Sequence, residues 1–149
     1  MKKEKFNLQE FAVEIIEEMN GILKTGQAIQ LEFNGNEEIT QDERILKNVM
    51  FNLLSNAIKY SGENKNIYLS IDTRNESVLI EVRDEGIGIP EEDQRNLFSQ
   101  FYRGKNVTNI QGTGLGLNIV KRYTELLGGN ITFKSKLTAG STFTVSLPL

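Results

Sequence analysis

Cysteine and histidine are both missing from the 149 residues. Without cysteine there are no disulfides, no thiolate metal ligands and no thiol nucleophile. Without histidine, the Ser-His-Asp triad, His-ligated metals and imidazole acid–base catalysis are excluded as well. No apolar run approaches the roughly 18–20 residues of a membrane span, and the stretch from Met1 to Glu10 lacks the apolar centre of a signal peptide. A basic excess is also lacking. The 17 Lys and Arg against 20 Asp and Glu leave a net charge of −3, which argues against a chain built to grip a nucleic-acid backbone. The expectation is a cytoplasmic protein, or the cytoplasmic part of a membrane-bound one, with no nucleic acid and no direct membrane contact.

What is present is the composition of an ordinary soluble domain: 38% hydrophobic and 25% charged residues, in a length that suits a single domain over 1–149 with a sizeable core. Phe6, Phe11, Ile15 and Met19 recur at helical spacing. A short alternating strand over 28–33 follows and is broken by Asn34-Gly35-Asn36. Asp42 is placed to cap a helix whose apolar face runs from Ile45 to Ile58, with Ser61-Gly62 ending it. Two alternating strands carry Ile67, Leu69 and Ile71, then Val78, Ile80 and Val82. A polar stretch runs from Pro90 to Gly112, in which 91–98 has the character of a short helix. A helix over 115–127 and a hairpin of strands near 130–135 and 141–147 close the chain. This order gives an α/β two-layer sandwich in which a mixed sheet packs against helices.

Several residues break the local rules. Asn52 and Asn56, four apart, share one stripe of the helix surface with Lys59 and Tyr60. The amides either bridge to neighbouring backbone or, with the lysine, form a site for a hard cation and a phosphate. Asp84 shares parity with Val78, Ile80 and Val82, so it points toward the apolar face at the strand's end. There it accepts either the backbone N–H groups of the turn at Gly86 or the amine of a ligand; without a donor it is costly. Gly86 and Gly88, before Ile89, let a planar ligand approach the backbone. Gly112-Thr113-Gly114-Leu115-Gly116-Leu117 is a glycine-rich helix entry where free N–H groups favour phosphate. It is neither a P-loop nor a dinucleotide fingerprint. Phe98, Phe101 and Tyr102 read as docking points for the polar stretch, and Arg103 and Lys105 are either solvated surface charges or groups that reach phosphates.

Taken in order, these segments resemble the ATP-binding catalytic domain of sensor histidine kinases, within the Bergerat-fold ATPases. Asn52 to Ser61 is similar to the N box, Asp84 to Ile89 to the G1 box, 97–104 to the F box and 112–117 to the G2 box. The resemblance covers nearly the whole chain. It implies a mainly antiparallel five-stranded sheet against three helices, with a mobile ATP lid over about 90–112. It implies that Asp84 accepts the adenine amino group beside Gly86, Gly88 and Ile89. Asn56, helped by Asn52, would hold Mg2+; Lys59 would contact phosphate and Tyr60 line the nucleotide. Phe98 and Phe101 would anchor the lid, while Gly112, Thr113, Gly114, Leu115, Gly116 and Leu117 would close on the phosphates. Gln100 departs from a proline common in the F box.

Related hydrolases and serine kinases of this fold carry a glutamate base where Asn52 stands, and Asn52 takes no proton. That implies transfer to an imidazole, resting on positioning and charge stabilisation. The family's histidine-bearing dimerisation hairpin is not among these residues. The implied partners are therefore a separate histidine-bearing domain and, through it, a response regulator, with the isolated domain a monomer. A non-catalytic ATP-binding regulatory module is the alternative.

Overall fold

The computed structural model describes residues 1–89, Gln94, Phe98 and 116–149. Among them are strands β1 (Glu4–Asn7), β2 (Ala28–Asn34), β3 (Glu38–Gln41), β4 (Asn66–Arg74), β5 (Ser77–Asp84), β6 (Asn130–Lys136) and β7 (Gly140–Pro148). The helices are α1 (Leu8–Met19), α2 (Glu43–Tyr60) and α3 (Gly116–Leu126), with a 3₁₀ turn at Asn20–Ile22.

Strand order in the main sheet is β2-β4-β5-β7-β6. β2 pairs parallel to β4, and the other three pairings are antiparallel. Alternation decides the two faces: Ile67, Leu69, Ile71, Val78, Ile80 and Val82 are buried, and the intervening positions look away from the helices. On that outer face Arg83 lies over the Tyr68 ring, 4.0 Å from its centroid, across a directly paired position.

The helices form the second layer. Leu8, Phe11, Ala12, Ile15 and Met19 of α1 and Leu46, Val49, Met50, Leu53, Leu54, Ala57 and Ile58 of α2 enter the core with the inner sheet face. α1 begins at Leu8 because the Asn7 side chain accepts the Glu10 N–H at 2.8 Å; Phe6, which the periodicity alone places in this helix, is in β1. The Asp42 side chain accepts the Ile45 N–H at 3.1 Å and caps α2 as its residue type suggests.

Two features depart from the sequence expectation. The four-residue strands β1 and β3 pair antiparallel, with Phe6 opposite Ile39, to form a second, two-stranded sheet. α2 is not ended by a glycine turn: Ser61 at its C-terminus is extended. Its last carbonyls are taken by groups distant in sequence, among them Lys24 and Gln27.

Candidate functional site

α2 carries four of the residues singled out by the sequence. Asn52, Asn56 and Tyr60 are half-buried and Lys59 is exposed. The Asn52 amide donates to the Asn48 carbonyl at 2.8 Å, as Asn48 does to Arg44 at 3.2 Å. For Asn52 the bridge to neighbouring backbone is therefore real, and it leaves the amide oxygen available. The Asn56 amide has no hydrogen-bond partner among the described residues.

Asp84 ends β5, opposite Ile67 on one side and Ser141 on the other. Only 8% of it is exposed, as its inward parity requires. Its Oδ1 accepts the Gly86 N–H at 2.9 Å. An ionised carboxylate accepts about four such bonds, so capacity remains for another donor. Burial pushes the Asp84 carboxyl above its ordinary range, against the pull of the Gly86 and Ser141 backbone N–H groups.

The turn after Asp84 is fastened to α2. The Ile87 N–H donates to the Tyr60 carbonyl at 3.2 Å. A Cβ on Gly86 would stand 2.2 Å from that same oxygen and 2.9 Å from Asp84 Oδ1, so only glycine permits this approach. This contact brings the Asn56–Lys59–Tyr60 stripe and the Asp84 turn together.

Behind the turn stands the β6–β7 hairpin. Gly88 has φ +72°, and a Cβ there would stand 2.1 Å from the Lys136 carbonyl oxygen. Thr138 N–H donates to Ile87 O at 2.8 Å, and Ile89 N–H to Ser135 Oγ at 2.7 Å. Ser135 Oγ lies 2.8 Å from Ser141 Oγ, and the Gln94 amide bridges the Ile89 and Ser135 carbonyls at 3.1 and 3.2 Å. Phe98 packs edge-on against Phe133, with 5.7 Å between ring centroids, which agrees with its expected docking role.

Ser135 and Ser141 were not singled out by the sequence, although a signal exists. Each is a polar residue on the inward parity of its strand, sharing it with Phe133 and Phe143. Gly116 opens α3, and Leu117 packs against the core. Phe101, Arg103, Lys105, Gly112, Thr113, Gly114 and Leu115, with nearly all of the expected lid, lie outside the described residues.

Chemically, the described part of the site is one buried carboxylate beside a glycine turn, next to amides and an ammonium on a helix. No group of three or more Asp, Glu, His or Cys among the described residues could hold a metal. No helix among them is long and apolar enough to cross a membrane.

Comparison with known proteins bears on the family and the fold. The circadian input-output histidine kinase CikA of Synechococcus elongatus is 33% identical over 149 aligned residues, covering 96% of this chain and 20% of that protein. The signal transduction histidine-protein kinase ArlS of Staphylococcus aureus is 40% identical over 112 residues, covering 74% of this chain and 25% of that protein. The chain thus spans about a fifth to a quarter of the length of these relatives. The catalytic domain of histidine kinase ThkA, in a nucleotide-free form, superposes with a TM-score of 0.84 at 30% identity, covering 99% of this chain and 98% of that one. Residues 41–149 match the family described as histidine kinase-, DNA gyrase B-, and HSP90-like ATPase, and the chain belongs to that family.

Proposed function

We propose that this chain binds Mg-ATP and catalyses transfer of the γ-phosphoryl group to a histidine on a separate dimerisation and phosphoacceptor domain. The observation that carries this reading is Asp84, a buried carboxylate with acceptor capacity to spare beside a turn that has no side chain at Gly86.

The residues fit the nucleotide. Asp84 offers an acceptor to an exocyclic amine, which adenine has and guanine lacks at the corresponding position. Asn56 offers an uncommitted amide oxygen, with the Asn52 oxygen one turn away, and such hard oxygens suit Mg2+. Ser61 Oγ, next to Tyr60, is buried and has no hydrogen-bond partner among the described residues, a further polar group for a ligand or its water. Bound ATP supplies the phosphoryl group, and Mg2+ offsets its charge.

On the protein side, Lys59 holds phosphate oxygens as a point charge, while Asp84 orients the base by hydrogen bonding. Tyr60 and Gly86 shape the wall between them. Transfer forms a nitrogen–phosphorus bond on the acceptor imidazole and breaks the bond to the ADP oxygen. Neutral imidazole brings its own lone pair, so no carboxylate base is needed where Asn52 stands. That supports a kinase rather than a hydrolase, and the histidine kinase relatives support it too. Because this sequence contains no histidine, the proposal takes the acceptor to be on another domain, with a response regulator as the next partner in line.

Calorimetric titration with ATP and GTP, each with and without Mg2+, tests the site. Uptake of ATP strengthened by Mg2+, with GTP bound far more weakly, is the expected result. Equal heats for the two nucleotides, or none for ATP, would reject it.

A further inference from the structure

α2 reaches the site at its C-terminus, where a helix leaves its last carbonyls without intrahelical partners. No glycine cap serves them here. Instead, Gln27, only 7% exposed, extends its amide into the helix end. Gln27 Nε2 donates to Ile58 O at 3.2 Å, Ser61 O at 3.2 Å and Gly62 O at 3.3 Å. Lys24 Nζ donates to Lys59 O at 2.9 Å and Ser61 O at 2.7 Å. The two are themselves coupled, since Gln27 Oε1 accepts the Lys24 N–H at 2.8 Å. The following loop is held as well, with Asn64 N–H on Thr25 O at 3.0 Å.

The pattern divides the carbonyls of α2's last turn between two structures. Those of Ile58 and Lys59 go to the 24–27 loop, and that of Tyr60 goes to the Ile87 N–H of the Asp84 turn. A cation and an amide at the negative end of the helix suit its dipole. They also fix the rotation and depth of the turn that bears Lys59 and Tyr60. Asp84, by contrast, is held by its strand neighbours Ile67 and Ser141 without help from this loop.

We infer that Lys24 and Gln27 are positioning residues that set the phosphate-binding end of the nucleotide site against its adenine-binding end. This rests on the proposed nucleotide binding and adds to it two residues that touch no nucleotide.

The test compares ATP with adenosine, titrated by NMR into the wild-type chain and into Lys24→Met, Gln27→Met and Lys24→Arg. Loss of positioning weakens ATP more than adenosine, because only ATP uses Lys59 and Asn56. The expected result is an ATP-to-adenosine affinity ratio lowered about three- to tenfold in both methionine variants, and restored in Lys24→Arg. Faster amide exchange at Ile87 should accompany it, a readout that needs no ligand. A ratio unchanged in Lys24→Met, whose exposed side chain leaves the core untouched, overturns the inference while the nucleotide reading stands. A wild type that takes up no ATP overturns both.

Discussion

In the proposed site Asp84 would serve recognition at the expense of stability, and the two effects separate by experiment. As an acceptor of the adenine amine it is worth about 1.5–3 kcal/mol, the scale of a hydrogen bond to a charged group, so Asp84→Asn should weaken ATP by that amount in a calorimetric titration. The fold responds in the opposite direction. Burial holds this carboxyl above its ordinary value of 3.8, so the folded chain binds the proton more tightly than the unfolded chain does. The stability gained from protonation is complete below pH 3.8 and is lost as the pH rises through the folded value. At pH 7 the buried carboxylate is therefore a cost, and Asn can still accept the Gly86 N–H. Asp84→Asn should melt higher than the wild type at pH 7, with the difference shrinking as the pH approaches 3.8. A variant that melts lower throughout would mean that the charge itself stabilises the turn. Gly86 makes the matching steric prediction: a methyl group 2.2 Å from the Tyr60 carbonyl oxygen must push the turn off α2. Gly86→Ala should lose about 1–3 kcal/mol of stability, measured by urea unfolding, and lose ATP affinity with it.

At the scale of elements, α2 is held at both ends, and the two ends differ in how openly the sequence shows them. The N-terminal cap was legible from Asp42 alone. Asp42→Ala should cost about 1 kcal/mol, or roughly 2–4 °C in a thermal melt, whereas Asp42→Asn should keep most of it. The Lys2 N–H, then those of Ile45 and Arg44, together with the nearby N-terminus, hold the Asp42 carboxyl below its ordinary value despite its burial. That contribution is present above pH 3.8 and disappears as the pH falls through the lowered value. The C-terminal end was not legible, because Gln27 and Lys24 meet it across 31–37 residues, and no local pattern encodes such a contact. β1 and β3 escaped for a different reason. Each is four residues long with one inward apolar side chain, Phe6 and Ile39, too few for alternation to show. By contrast, the main-sheet strands and the broad face of α2 were plain, since burial on one side imposes a period that composition cannot hide. Asp84 stood out for the same reason, as a charge on the buried parity.

For the whole molecule, the proposed reaction makes a prediction about where phosphate ends up. With labelled Mg-ATP and a separate histidine-bearing helical hairpin, label should accumulate on the hairpin and leave the chain itself unlabelled, and sustained hydrolysis without the hairpin should be negligible. Steady ATPase activity from the chain alone would count against the kinase reading. The sheet order carries one more consequence, which concerns time rather than geometry. Asp84 is paired with Ser141, 57 positions later, and the turn beside it is pinned by Ser135 across 46. Contacts that distant close slowly, because the loop between them must be gathered before any pairing rewards it. The proposed adenine pocket should then be among the last features to form, and a partly folded chain would offer a nucleotide nothing to hold. Added ATP should leave the refolding rate where it is and lengthen the lifetime of the folded state instead.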